Sequence, residues 1–378
     1  MENINELNPQ RQKKAKEYAK INRRFMILDL IIGIAFLLAW LLFDWSMELR
    51  NWTLILTTNN WLGIAAFGAV FGAAFYVINL PLSYYTGYII PHRYEMSNQT
   101  IRGWLEDQVK SLLISIILGG LLLEIIYAVL RAAPETWWLW VGGIMLLFNV
   151  VLANLAPVLI FPLFYDFSPL GEEHADLAAR LVQLAEQAGT HIKGVFKFDM
   201  SRRSKAANAG LTGLGSTRRI ILGDTLLDEF SADEIETILA HELGHHVNKD
   251  IPIGMAIQTA LTLGGLYLAS LVLDWGVGYF GFYSVADIAA LPLFGLVMGA
   301  YGLVTMPLGN GYSRWRERLA DAYALKVTGK GEAYASALTR LADQNLADAD
   351  PELWIEWLLH SHPALSKRIA MAKSNQKR

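Results

Sequence analysis

Six long apolar runs constrain the fold of this chain more than any other feature of its sequence. A membrane-spanning helix needs about 20 mostly apolar residues. Runs of that kind cover Phe25–Phe43, Trp61–Leu82, Leu112–Leu130, Trp137–Leu163, Ile251–Leu273 and Ile288–Leu308. Only 18% of the residues are charged, against about 25% in a typical soluble domain. The sequence therefore predicts an all-α polytopic membrane bundle of about six transmembrane helices.

The Lys and Arg residues are strongly asymmetric between the two sides of this predicted topology. An even number of spans puts both termini on one side, together with the segments 91–110, 165–250 and 309–378. Arg50 and Arg131 alone among the basic residues fall on the other side. Loops rich in Lys and Arg stay in the cytoplasm, so we expect both termini and the polar segments to be cytoplasmic. The membrane would be the inner or plasma membrane of a prokaryote, or the endoplasmic reticulum membrane of a eukaryote.

The polar segments divide the chain into four parts. Residues 1–164 hold four predicted spans, 165–250 form a water-soluble segment, 251–308 hold two more spans, and 309–378 form a second soluble segment. The first soluble segment reads as helix, strand, turn, strand and helix, and its last helix should start at Ser231, which forms a capping-box pattern with Glu234. We expect the two soluble segments to assemble one small α+β domain. The net charge of −3 gives no basic field for nucleic acid, so no nucleic-acid partner is expected.

The capped helix carries the sequence His241-Glu242-Leu243-Gly244-His245. Residues four apart lie on one face of a helix, so two imidazoles can bind one metal ion while Glu242 lies beside it. A catalytic zinc takes a third protein ligand and keeps one position for water, and the intervening glutamate suits a general base. The chain has no Cys, which excludes thiolate ligands and nucleophiles.

A second motif, Ser313–Asp321, begins just beyond the sixth span and contains Glu317 and Asp321, also four residues apart. Glu317 can be the third zinc ligand, and Asp321 can accept a hydrogen bond from a ligand imidazole. By itself this motif reads more simply as a solvated helix with salt bridges to neighbouring arginines. The histidine pair favours the metal site.

Several segments together resemble the CaaX prenyl protease type 1 family of integral-membrane zinc metalloproteases. They occur in family order and are Tyr94–Lys110, Pro162–Leu170, Asn208–Leu227, His241–His245, Ser313–Asp321 and Ser361–Ile369. The resemblance implies one Zn²⁺ per chain on His241, His245 and Glu317, with Glu242 as the catalytic base. It also implies a membrane bundle that encloses a cavity, with a small zincin-like α+β domain at its cytosolic end.

The same resemblance implies further residues at the active site. His362 matches the family's second catalytic histidine, which donates to the developing oxyanion. Asn208 and Gly213 match a segment beside the cleft, whose strand would bind an extended substrate peptide. Arg368 follows the second histidine as in the family; we place it with the substrate-site candidates, with a structural or carboxylate-pairing role as our interpretation.

The implied partners are a peptide or protein substrate, prenylated at its C-terminus in the family, and membrane lipid. Eukaryotic members carry one more N-terminal span and a longer insert before the histidine helix, so this shorter form resembles a prokaryotic member. Three alternatives stay open. One is a quality-control protease of the heat-shock HtpX type, one is a catalytically idle chamber protein acting as a chaperone, and one is a transporter.

Overall fold

The computed structural model describes residues 6–213 and 215–374 as a mainly helical molecule with one small sheet. We number its main helices α1 to α13 in chain order. They are α1 Pro9–Leu42, α2 Trp45–Leu56, α3 Asn60–Arg93, α4 Ile101–Ala132, α5 Trp137–Phe164, α6 Ala175–Gln187, α7 Asp224–Glu229, α8 Ala232–Val247, α9 Asp250–Phe280, α10 Leu291–Thr328, α11 Gly331–Gln344, α12 Leu353–Leu359 and α13 Leu365–Ser374.

Six of these helices (α1, α3, α4, α5, α9 and α10) are long and apolar enough to cross a membrane. This number confirms the six spans predicted from the sequence. Several of the helices extend beyond their apolar runs: α1 already begins at Pro9, where the Asn8 side chain accepts hydrogen bonds from the first free backbone N–H groups. The helix α10 crosses the expected boundary between residues 308 and 309 without a break, and so carries the Ser313–Asp321 motif directly on the sixth span.

The six spanning helices are arranged as a closed ring. Each packs against its neighbour in chain order, from α1 to α3, α4, α5, α9 and α10, and α10 packs back against α1. Across one end of the ring, apolar side chains of α1, α4, α5, α9 and α10 pack together in one buried cluster that includes Leu41, Trp137 and Leu293. The enclosed cavity expected from the sequence stays a prediction.

A four-stranded sheet lies within the soluble part of the molecule. Its strands are β1 Phe167–Pro169, β2 Val195–Phe198, β3 Ala209–Thr212 and β4 Arg219–Gly223, in the order β1-β2-β4-β3. β2 and β4 are parallel, and each edge strand is antiparallel to its neighbour. Among the residues that the structure describes, β3 is paired on one side only, and it packs against α8.

One apolar core joins this sheet to the helices α6, α8, α11 and α13. Its fully buried members come from both soluble segments, among them Leu181, Ile220, Leu239 and Leu338. The two segments therefore fold as one unit, as the sequence analysis expected. The capping box at the start of α8 is also present, with Ser231 and Glu234 each bonded to the other's backbone N–H.

Candidate metal centre

The helix α8 places its two histidines one turn apart, with side chains that are 9% and 26% exposed for His241 and His245. His241 is buried, and its Nε2 lies 3.2 Å from Nε2 of His245. Two imidazole nitrogens this close in space, both on one face of the helix, can bind one ion. Glu242 follows His241 directly and is half-buried beside them.

Glu317 completes the group from the neighbouring helix α10. Its Oε2 lies 3.3 Å from His241 Nε2, and its Oε1 lies 3.4 Å from His245 Nε2. Zinc bonds of about 2.0–2.2 Å in a tetrahedral arrangement separate the ligand atoms by about 3.3 Å. The three side chains form a group that could hold a metal ion, and their spacing fits zinc.

A close approach of α8 to α10 makes this geometry possible. A Cβ atom added to Gly244 would lie 2.8 Å from Cα of Ala320, a distance that real side chains do not adopt. The Gly of the HELGH sequence therefore lets the backbones of the two helices come into contact. Because His241, His245 and Glu317 lie on either side of this contact, its width sets their separation.

His241 is oriented by a buried polar network on the side away from the candidate metal position. Its Nδ1 lies 2.8 Å from Oδ1 of Asp321, within reach of the hydrogen bond that the sequence analysis proposed, and the role of Asp321 at a metal site stays a prediction. Tyr334 donates to the same oxygen at 2.6 Å, and Arg368 donates to both Asp321 oxygens at 2.6 and 3.0 Å. Asp321 is fully buried, so these donors compensate its lost hydration.

His245 has a matching arrangement that the sequence analysis missed. Its Nδ1 lies 2.7 Å from Oδ2 of Asp250, and Arg316 Nε donates to the other oxygen of Asp250 at 2.6 Å. Asp250 lies beyond the end of α8, in the first turn of α9, because Lys249 adopts a left-handed conformation (φ 57°) between the two helices. The only sequence signal for this contact is an acidic residue five positions after His245.

The surrounding carboxylates dominate the electrostatics of both imidazoles. Burial alone would lower the pKa of His245, but hydrogen bonds to Glu317 and Asp250 outweigh burial and raise the pKa to about 9. Burial also acts to lower the pKa of His241. Hydrogen bonds to Asp321 and Glu317 outweigh burial here too, so this pKa is raised. The site thus favours a positive charge at its centre, the property expected of a cation-binding site.

His362 comes to this centre from the loop between α12 and α13. Its Nε2 lies 3.2 Å from Oε1 of Glu317, and its Nδ1 lies 2.9 Å from Oγ of Ser361. The side chain is 60% exposed, so it borders the open side of the site. Arg314 of α10 holds the loop by donating to the carbonyl of His360 at 2.6 Å.

The remaining predicted site residues occupy different positions. Asn208 is exposed and directly precedes β3, and Gly213 follows that strand with a φ of 83°. A Cβ atom on Gly213 would lie 2.6 Å from the carbonyl oxygen of Thr217, so the turn requires glycine there. Arg368 is buried and bonded to Asp321, which supports the carboxylate-pairing interpretation. His246 lies 3.4 Å from Arg218, away from the metal-binding group.

A membrane-embedded helical bundle with a histidine–glutamate metal site defines the class of the protein as an integral-membrane metallopeptidase. Residues 2–166 match the family model described as CAAX prenyl protease N-terminal, five membrane helices, and residues 172–376 match that of peptidase family M48. The chain belongs to peptidase family M48. It is a multi-pass membrane zinc metalloprotease that acts on peptide substrates, as the sequence analysis predicted.

Individual relatives agree with this assignment. An uncharacterized metalloprotease of Bacillus subtilis, YhfN, is 28% identical over 374 residues, which are 98% of this chain and 87% of the relative. A CAAX prenyl protease 1 homolog of Arabidopsis thaliana is 32% identical over 310 residues, which are 80% of this chain and 71% of the relative. The crystal structure of S. mikatae Ste24p is similar in fold, with a TM-score of 0.87 at 24% identity over 98% of this chain and 90% of that one.

Proposed function

We propose that the site hydrolyses peptide bonds with Glu242 as general base and His362 as proton donor, and that His241, His245 and Glu317 hold the zinc ion. The observation that carries this proposal is the convergence of four side chains from two helices and a loop on one point, with Glu317 3.2–3.4 Å from each of the three histidines His241, His245 and His362. Bound zinc would supply Lewis-acid polarisation and an acidified water.

The protein's own residues would handle the protons. Glu242 lies next to the ligands on α8 and is half-buried, so its carboxylate can take a proton from a water at the centre and pass it to the leaving amine. His362 borders the open side of the site, where its imidazole can donate to the carbonyl oxygen of the scissile bond as charge develops there.

We further propose that the free edge of β3 binds the substrate as an additional strand. The backbone groups on the unpaired edge of a sheet can pair with an extended peptide, and β3 packs against the helix that carries the histidines. Asn208, exposed at the start of β3, is suited to hold a substrate backbone group, and Gly213 keeps the turn after β3 compact. A direct contact of Arg368 with substrate stays a prediction.

For the substrate class, we propose proteins that carry a prenyl group near the C-terminus. The support is the name of the relatives, CAAX prenyl protease 1, and the embedding of this site in a membrane protein, where a lipid-bearing segment is concentrated. A quality-control protease without a lipid requirement is the competing function.

A matched pair of peptides separates the two functions. The purified protein in detergent is given one peptide that ends in a farnesylated CaaX sequence and the same peptide without the lipid. Cleavage of the farnesylated peptide alone supports the proposed substrate class. Equal cleavage of both peptides contradicts it and favours the quality-control function.

We also propose that both termini and the metal site face the cytoplasm. The start of α1 contacts the C-terminal segment, with Asn8 N and Gln12 Nε2 each donating to Asp343 at 2.9 Å, which supports one common side. Because the chain has no Cys, single cysteines at Lys16 and at Glu135 give a clean test in intact cells. An impermeant maleimide should label only the Glu135→Cys variant, and labelling of Lys16→Cys alone would reverse the orientation.

A further inference from the structure

The short helix α12 has its apolar side facing outward. Leu353, Trp354 and Trp357 are 74%, 58% and 60% exposed and lie on one face, whereas Ile355 and Glu356 face inward and are buried. A soluble amphipathic helix has the opposite arrangement, with its charged residue outside and its large apolar residues inside. The outward face of α12 therefore matches an apolar environment better than water.

This face continues the exposed apolar stripe of the sixth spanning helix. On α10, Val304, Leu308 and Trp315 are all exposed, and their spacing of four and seven residues puts them on one side of the helix. The first two lie in the apolar run that is long enough to cross the membrane, and we assign this exposed side of α10 to the lipid. Because α12 packs on α10, its outward face lies next to this exposed apolar stripe.

Two hydrogen bonds fix the depth of α12 along α10. Asn310 Nδ2 donates to the carbonyl of Leu358 at 2.7 Å, and Arg314 donates to the carbonyl of Glu356 at 2.9 Å. At 1.5 Å per residue, these two side chains start about 3–9 Å beyond Leu308, where the apolar run of α10 ends. The headgroup region of a bilayer extends about 5–8 Å beyond the hydrocarbon on each side.

We propose that α12 is an interfacial helix, whose face formed by Leu353, Trp354 and Trp357 lies in the headgroup region of the membrane on the side of the metal site. Tryptophan is the residue type enriched at that depth, and the Trp354 indole N–H is already satisfied by Glu352 at 2.5 Å. The apolar ring can therefore face the lipid while the polar N–H keeps its partner.

For the enzyme, this contact would fix the distance between the bilayer and the loop that carries His362, between α12 and α13. Arg314 binds the carbonyl of Glu356 in α12 and also that of His360, two residues before His362. The membrane contact of α12 and the position of His362 thus depend on the same guanidinium. A substrate segment held at the membrane surface would meet His362 without leaving the interface.

Spin labels on single cysteines test this contact directly, since the chain has no Cys of its own. Trp354→Cys, Trp357→Cys and Leu353→Cys are labelled with a nitroxide in lipid nanodiscs. Collision rates are measured with oxygen, which concentrates in lipid, and with a neutral nickel chelate, which stays in water. Ile117→Cys, on the exposed side of α4, gives the hydrocarbon value, and Glu186→Cys, exposed on α6, gives the aqueous value.

The three α12 labels should have oxygen-to-nickel ratios between those of the two controls and several-fold above that of Glu186→Cys. Each variant is first checked for zinc content and for its thermal unfolding midpoint, and the three positions give independent readings if one of them fails to fold. A ratio equal to that of Glu186→Cys would overturn the proposal. Low collision rates with both reagents would overturn it as well, because the face would then be covered by protein.

Discussion

Each candidate zinc-binding imidazole is held in place by a carboxylate that is itself held by an arginine. His241 contacts Asp321, which is paired with Arg368. His245 contacts Asp250, which is paired with an arginine of α10. Such partners fix which ring nitrogen carries the proton and how the ring is oriented, and their loss typically lowers metal affinity about 10- to 100-fold.

The Asp250→Asn substitution tests the half of this arrangement that the sequence did not indicate. The amide keeps the size of the side chain but loses the charge that polarises His245, so zinc affinity should fall by about 10- to 100-fold. Affinity is measured by competition with a chelator, with Asp321→Asn as the positive comparison. Glu135→Gln, exposed at the opposite end of the ring, should leave zinc affinity unchanged. An Asp250→Asn protein with wild-type affinity would refute the role of Asp250.

The sequence predicted this site unevenly, for physical reasons. Helical spacing alone brought together His241 and His245 on α8, and Glu317 and Asp321 on α10. The sequence analysis missed Asp250 because the left-handed conformation of Lys249, and not helical periodicity, turns the chain back toward His245. It missed Tyr334 because the contact of Tyr334 with Asp321 depends on how α11 packs, which no local sequence pattern indicates.

At the level of secondary-structure elements, the contact of α8 with α10 determines whether the metal site forms. The Gly244→Ala substitution places a methyl group 2.8 Å from the Ala320 backbone, so the helices must separate. We expect a loss of about 1–3 kcal/mol in the free energy of unfolding and weaker zinc binding, because Glu317 moves away from the histidines.

The matched control for this substitution is Gly254→Ala in α9. No atom of the described residues lies within 4 Å of a Cβ atom at that position, and alanine is the better helix former. Its stability and zinc content should equal or exceed those of the unsubstituted protein. If Gly244→Ala behaves like Gly254→Ala, the close helix contact does not set the site geometry.

Two spanning helices contain a π-helical turn near the end of their apolar run, at Tyr85–Ile89 in α3 and at Ala156–Ile160 in α5. In each case a proline, Pro91 or Pro162, follows the last donor of the turn by one position, and proline has no N–H to donate. The N–H of Phe161 donates to Ala156 and Pro162 has no N–H, so the carbonyl of Pro157 lacks its usual helical donors, and Arg219 of β4 donates to it. The prolines could be seen in the sequence. The contact of Arg219 with the Pro157 carbonyl could not, because Arg219 belongs to a strand that is distant in the chain.

At the level of the whole molecule, the ring of helices has a buried ion pair on the side opposite the metal site. Arg50, in the middle of α2, donates to Asp287, which also accepts from the backbone N–H groups of Tyr283 and Ala289. The Arg50 and Asp287 side chains are 8% and 1% exposed. The pair joins α2 to the connection between α9 and α10, which are neighbours in the ring.

The Arg50→Met substitution should strongly destabilise the ring without touching the zinc site. Removing one partner of a buried pair leaves the other charge unpaired and costs about 3–5 kcal/mol. The thermal unfolding midpoint in detergent should fall, while zinc binding to the folded protein stays unchanged. Arg102→Met breaks an exposed ion pair with Glu106, which contributes about 0–1 kcal/mol. Equal unfolding midpoints for the two variants would contradict this account.

The number and approximate position of the spans followed from hydropathy, since the membrane admits only long apolar helices. The strands β2 and β4 were also visible, as short runs near 191–199 and 218–222. The order of helices around the ring could not be predicted from the sequence, because contacts such as that of α1 with α10 join residues from opposite ends of the chain. Nor was α12 distinguishable from a soluble helix until its apolar face was found to point outward.

The central claim is that Glu242 is the base of a zinc-dependent peptidase, and the Glu242→Gln protein tests it most directly. Zinc content and cleavage of the farnesylated peptide are measured together on the same preparation. We predict one zinc ion per chain, as in the unsubstituted protein, and a fall in turnover of about 10²- to 10⁴-fold, the usual contribution of a general base. Unchanged turnover with zinc bound would contradict the account.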